Sequence, residues 1–105
     1  FEVANQKALL PFLQRLRAHF PKKSVWCYSG YTLDAQLLGD HPVHTKEAEE
    51  MLKLIDVLVD GEFVEEKKDL KNIRFRGSTN QRIIDVPASL AAGEVVLWKD
   101  WYEAR

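Results

Sequence analysis

The densest polar segment of the chain is Arg74-Phe75-Arg76-Gly77-Ser78-Thr79-Asn80-Gln81-Arg82, with three arginines in nine residues. Guanidinium groups set among Gly, Ser, Thr and Asn can cradle a phosphate or carboxylate by bidentate pairing. The same arginines can instead pair with acids such as Asp60, Glu65 or Asp85 on a solvated loop. A second candidate is divided between two segments. Tyr28-Ser29-Gly30-Tyr31 and Asp60-Gly61-Glu62 each place a polar side chain beside a glycine, which lets backbone approach a ligand closely. A hydroxyl and a carboxylate on one rim suit ribose hydroxyls or an ammonium group, whereas plain turns need no ligand. His41 and His44 have H-x-x-H spacing beside Asp40, but Pro42 lies between them and zinc needs a fuller, supported ligand set. A surface histidine pair is the simpler reading. Cys27, between Trp26 and Tyr28, reads as a small packed hydrophobe, and no Ser-His-Asp or Cys-His constellation can be nominated.

These residues need elements to hold them. Leu9, Phe12, Leu13, Leu16 and Phe20 recur at helical spacing and predict an amphipathic helix over about residues 4–20, kinked or restarted at Pro11. Ser24-Val25-Trp26-Cys27-Tyr28 is aromatic and β-branched and predicts a buried strand ending at Ser29-Gly30. Residues 31–44 predict a short helical turn and a loop. Thr45 then reads as an N-cap, with Ala48, Met51, Leu52 and Ile55 on one helix face. Asp56-Val57-Leu58-Val59-Asp60-Gly61 predicts a second strand ending at a turn. This α–β–α–β order implies an α/β class with a parallel βαβ core, whose strand ends share one ligand-gathering edge. Residues 62–80 are charged and irregular, with one helical turn near Glu65–Leu70, and the run Glu62 to Asp69 reads as a solvated face. Arg82–Val86 and Glu94–Trp98 are strand-like and predict a final antiparallel pair joined by Pro87–Gly93, with a tail helix over Lys99–Arg105.

Composition narrows the classes. The chain has 105 residues, 46% hydrophobic and 30% charged, which predicts a single domain spanning 1–105 with a modest core. Ten per cent aromatics with five Gly and four Pro argue against disorder. No apolar run approaches the ~20 residues of a membrane helix, and a net charge of −1 argues against a generic nucleic-acid or membrane-surface binder. Binding of RNA through Arg74–Arg82 is disfavoured too, because no aromatic platform accompanies Phe75. The single cysteine excludes an internal disulfide and any multi-cysteine metal site built by this chain alone, and suits a cytoplasmic location. The first residue is Phe1, so a processed product or a piece of something longer is expected.

Four stretches together carry a resemblance: Val25-Trp26-Cys27-Tyr28-Ser29-Gly30-Tyr31-Thr32, Leu54-Ile55-Asp56-Val57-Leu58-Val59-Asp60-Gly61, Phe63 through Lys71, and Arg74-Phe75-Arg76-Gly77-Ser78-Thr79-Asn80-Gln81-Arg82-Ile83-Ile84-Asp85-Val86. From about Leu9 to Trp98 the chain closely resembles the C-terminal part of the anaerobic ribonucleoside-triphosphate reductase activating proteins, which are radical S-adenosylmethionine (SAM) activases of glycyl-radical enzymes. The resemblance implies a fragment of a partial (β/α) barrel with a β-rich C-terminal extension. It also implies a [4Fe–4S] cluster and SAM in the full-length family, reductive cleavage of SAM to a 5′-deoxyadenosyl radical, and hydrogen abstraction from a glycine of the reductase.

The family's C-x-x-x-C-x-x-C cluster loop and its Gly-Gly-Glu-Pro segment are absent, and Phe1-Glu2 resembles the residues immediately C-terminal to that segment. The implied reading is a truncated activase without its first two strands, unable to bind the cluster and inactive as it stands. By position, Ser29, Gly30 and Tyr31 match a strand end near the SAM site, and Asp60 matches the acid at the next one. Asn80 and Arg82 fall in the family's S-x-N-x-R signature, shaping the wall around the cofactor or facing the reductase. The implied partner is the glycyl-radical subunit of that reductase, and an uncovered edge at strand 24–29 predicts self-association. The alternatives are an activase of another glycyl-radical enzyme, such as pyruvate formate-lyase, and a non-enzymatic α/β binding module using the Arg74–Arg82 loop.

Overall fold

The computed structural model describes residues 1–71 and 75–99. Helix α1 spans Val3–His19 and runs through Pro11 without a restart. Its core-facing line is Leu9, Leu13 and Leu16, which pack into the main hydrophobic cluster. Phe12 and Phe20 depart from the expected stripe, at 49% and 53% exposed. Phe12 sits about 100° around the helix from Leu13, and Phe20 is the C-cap, where the backbone has already left the helical path. Gln6 takes a place in the core instead, donating from Nε2 to the carbonyls of Phe1 at 2.7 Å and Val43 at 3.1 Å. Its amide oxygen accepts from the Thr45 hydroxyl, so this buried amide is fully used.

Strand β1, Trp26–Tyr28, leads through helix α2, Lys46–Leu52, to strand β2, Val57–Asp60. Thr45 caps α2 as expected, its hydroxyl accepting from the Ala48 amide at 3.1 Å. Between β1 and α2 lies a π-type turn, Leu33–Leu37, whose Leu33 and Leu37 are buried. The two strands pair in parallel, Trp26 opposite Val57 and Tyr28 opposite Val59. Strand β3, Arg82–Asp85, joins the other side of β2 antiparallel, with Val57 opposite Asp85 and Asp60 opposite Arg82, so the sheet order is β1-β2-β3. Among its described residues the segment 62–80 carries one 3-10 turn, Glu65–Lys67.

The expected terminal pair is rearranged. Arg82–Asp85 takes β2 as its full partner, and Val86–Ala92 forms helix α3 rather than a bare connection. Asp85 caps α3 by accepting from the Ala88 amide at 3.1 Å, Pro87 occupies its first turn, and Gly93 ends it at φ 71°. After that detour one bridge among the described residues, Ile84 to Leu97, returns to β3, flanked by the Asp85 amide on the Val96 carbonyl and the Trp98 amide on the Ile83 carbonyl. The expected tail helix lies, from residue 100 onward, outside the described residues, as does Arg74.

The sheet has two apolar faces. Cys27, Leu58 and Ile84 point into the helical core with Leu13, Leu33, Leu37, Met51 and Leu52. Val57, Val59 and Ile83 point the other way, under Trp26, Phe75 and Trp98. Trp98 meets Trp26 edge to face at 4.7 Å, so aromatic side chains do there what helices do opposite. Cys27 is partly buried, and burial pushes its thiol up from the ordinary value, in keeping with a packed hydrophobe.

Candidate ligand groove at the strand ends

At the carboxyl end of β1 the chain turns sharply. The Ser29 hydroxyl donates to the Tyr31 carbonyl at 2.6 Å and accepts from the Tyr31 amide at 3.1 Å, while Gly30 adopts φ 73°, a conformation that favours glycine. The Gln36 side-chain oxygen accepts from the Thr32 amide at 2.8 Å and ties this turn to the π-turn behind it. A groove of about 750 Å³ opens between Ser29–Thr32, Ala35 and Gln36, bordered by Glu2 and Glu62. Tyr31 packs its ring on His41 at 5.8 Å, and its carbonyl also accepts from the Gly61 amide at 3.0 Å, joining the ends of β1 and β2.

Asp60 stands behind this rim rather than on it. Its side chain is 1% exposed, and both oxygens are occupied. Oδ1 accepts from Arg82 Nε at 3.0 Å; Oδ2 accepts from Arg82 Nη2 at 2.6 Å and from the Leu33 amide at 2.8 Å. Arg82 reaches on to Asp34 Oδ1 at 2.9 Å. The hydrogen bonds to Asp60, with a smaller contribution from Asp34, push the guanidinium further up; the same arginine holds the Asp34 carboxyl below its ordinary value.

The loop before β3 is closed on itself. Arg76 donates from Nε to Asp69 at 3.0 Å and from Nη1 to the Thr79 and Gln81 carbonyls. Both described arginines of the expected phosphate cradle are therefore engaged with acids and carbonyls, although Arg76 uses Asp69 rather than the acids expected for it. The antiparallel register of β2 and β3 continues beyond the strands through side chains. Arg82 meets Asp60, Gln81 Nε2 donates to the Gly61 carbonyl at 3.0 Å, Asn80 Nδ2 donates to the Glu62 carbonyl at 2.8 Å, and the Ser78 hydroxyl accepts from the Val64 amide at 3.2 Å. Ser78, Asn80 and Arg82 thus share one task, holding residues 60–64.

Of the residues singled out in the sequence, Ser29, Gly30 and Tyr31 line the groove, while Asp60, Asn80 and Arg82 form the scaffold behind it. Glu2, Thr32, Ala35, Gln36 and Glu62 complete the lining. Glu62 comes directly after the strand-ending Gly61 and is legible as a rim position. Glu2 comes from the far end of the chain and carries no local signal.

The histidine pair does not form a metal site. His44 sets Nδ1 on the Gly39 carbonyl at 2.9 Å and Nε2 on Glu49 at 2.7 Å, and His41 Nδ1 accepts from the Val43 amide. Hydrogen bonding to Glu49, then to Gly39, raises the His44 pKa. Among the described residues no group of three or more His, Cys, Asp or Glu side chains could hold a metal ion. A [4Fe–4S] cluster does not fit these residues either, since it needs several thiolates and the chain has one cysteine, packed on β1.

Residues 1–84 match the family model described as a 4Fe-4S single cluster domain. An anaerobic ribonucleoside-triphosphate reductase-activating protein of Haemophilus influenzae is 40% identical over 79 residues, covering 75% of this chain and 45% of its own length. The protein of the same description from Vibrio cholerae is 40% identical over 80 residues, covering 76% of this chain and 46% of its own length. That from Escherichia coli K12 is 39% identical over 77 residues, covering 73% and 44%. The chain spans less than half the length of these curated relatives, and no solved structure matches it. Among the described residues no helix is long and apolar enough to cross a membrane.

Proposed function

From a chain that belongs to the family of 4Fe-4S single cluster domains, we propose the C-terminal part of an activating protein for an anaerobic ribonucleoside-triphosphate reductase, supplying the SAM-binding rim of a radical SAM barrel. The observation that carries this reading is the groove at the carboxyl ends of two parallel strands, entered by the Ser29-Gly30-Tyr31 turn. Ligands gather at that edge of α/β sheets because strand-end turns present backbone groups there. In this proposal Ser29, Gly30 and Tyr31 contact the adenosyl ligand, and Asp60, Asn80 and Arg82 hold the wall that carries them.

The electron that cleaves SAM is assigned to a [4Fe–4S] cluster held by cysteines other than Cys27, and the chain by itself is expected to bind without cleaving. The glycyl radical belongs to the reductase, the partner of the complete activase. The outer edge of β1 has no neighbouring strand among the described residues, so copies of this chain are expected to pair through it. Titration of isotopically labelled chain with SAM tests the binding role: amide shifts confined to residues 29–36 and 60–62 are expected. Shifts confined to residues 75–82 would instead favour a binding module built on the arginine loop, and no shifts would remove the SAM role. Light scattering at increasing concentration tests the pairing, and a monomer throughout would sink it.

A further inference from the structure

We infer that Glu62, and not Asp60, is the carboxylate that meets the ligand, that it selects a cationic group, and that Asn80 is its positioning residue; this deepens the SAM reading and rests on it. Two acids occur at the end of β2, and their surroundings separate them. Asp60 is 1% exposed and closed by the Arg82 fork and the Leu33 amide, so a ligand could reach it only by breaking that pair. Glu62 is exposed, borders the groove, and has no ion pair among the described residues.

Its backbone is nevertheless fixed. The Asn80 amide holds the Glu62 carbonyl at 2.8 Å, Gln81 holds the Gly61 carbonyl, and the Gly61 amide holds Tyr31. Gly61 adopts φ 91°, which turns the chain off the strand beside the Ser29–Tyr31 turn. Among the described residues the groove is lined by two carboxylates, Glu62 and Glu2, and by no lysine, arginine or histidine. Of the arginines in the 74–82 loop, the two described, Arg76 and Arg82, are engaged with Asp69, Asp60 and Asp34. Such a groove favours an ammonium or sulfonium group and disfavours a phosphate.

Titration of the chain and its variants with SAM, read by amide shifts and calorimetry beside thermal melting, tests this. Glu62→Gln is expected to weaken SAM binding by about three- to tenfold at low salt, less at high salt, with melting unchanged. Asn80→Ala is expected to weaken it by a smaller factor, and Asn80→Asp, which loses the amide donor, is expected not to rescue it. In a purely structural role Asn80→Ala would lower melting and leave affinity alone. Wild-type affinity in Glu62→Gln would overturn the assignment, as would loss of binding in a folded Asp60→Asn chain but not in Glu62→Gln. If the unaltered chain binds no SAM, the adenosyl reading fails, and trimethylsulfonium decides the rest. Shifts at Tyr31 and Glu62 that vanish in Glu62→Gln would keep the cation groove, and no shifts would overturn it too.

Discussion

Strand β2 is bracketed by two aspartates that do the same job at opposite edges of the sheet. At the amino edge, Asp56 Oδ2 accepts from Arg17 at 2.6 Å and from the Val25 amide at 2.7 Å, tying α1 to the start of β1. At the carboxyl edge, Asp60 accepts from Arg82 and from the Leu33 amide. Each is one carboxylate shared between an arginine and a backbone N–H from the next segment. They differ in burial, the Asp56 side chain being 34% exposed and that of Asp60 1%. The amino-edge version can exchange partners with water and serves as a clamp. The carboxyl-edge version cannot, so it must be complete within the protein, and the exposed rim lies in front of it.

Removing the buried member should break this comparison most clearly. Asp60→Ala leaves Arg82 half-satisfied and the Leu33 amide without its acceptor, a loss of about 3 kcal/mol or more, read as a large fall in the denaturant midpoint. Asp56→Ala should cost about 1–2 kcal/mol, because water replaces much of what Arg17 and Val25 lose. Equal losses at the two sites would mean that burial is not the deciding variable. Asn80→Ala removes one exposed hydrogen bond and should cost under about 1 kcal/mol in the same denaturant measurement.

The smallest effect belongs to His44, which sits at neither end. Its pKa is raised in the folded chain by Glu49 and Gly39, so its contribution is present below the unfolded value and fades as pH rises through the folded one. A slight fall in melting temperature across the neutral range is expected, absent in His44→Gln. A rise, or no dependence on His44, would refute the assignment.

Much of this was legible along the chain. The Val57-Leu58-Val59 run marked β2, which is covered on both faces. The aromatic Trp26-Cys27-Tyr28 marked its parallel partner, although that strand is less buried than expected, with Tyr28 53% exposed. Gly30 and Gly61 marked the two turns that meet at the rim. Helix α3 also left signals, the Asp85 cap, Pro87 and Gly93, but the strand-like segments on either side drew attention to their own pairing. That pairing is kept as the Ile84–Leu97 bridge, while β2 is the fuller partner of β3. Phe12 was misplaced because helical spacing does not say how wide the buried arc is, and Phe20 because it does not say where the helix ends. The task of Ser78, Asn80 and Arg82 was hidden for a different reason: their partners lie 14 to 22 positions away and become apparent only once β2 and β3 are aligned.

That alignment also divides the connection between β2 and β3 into parts with different freedom of length. Residues 60–64 and 78–82 are matched one against one, so an added residue on either side would put each later side chain opposite the wrong backbone group. The stretch between them closes a loop whose entropy depends only weakly on its size. Two extra residues after Leu70 should therefore be borne with little loss of stability, and two between Gly61 and Val64 should not. Natural variation in the length of this connection should accumulate in the first place and be purged from the second.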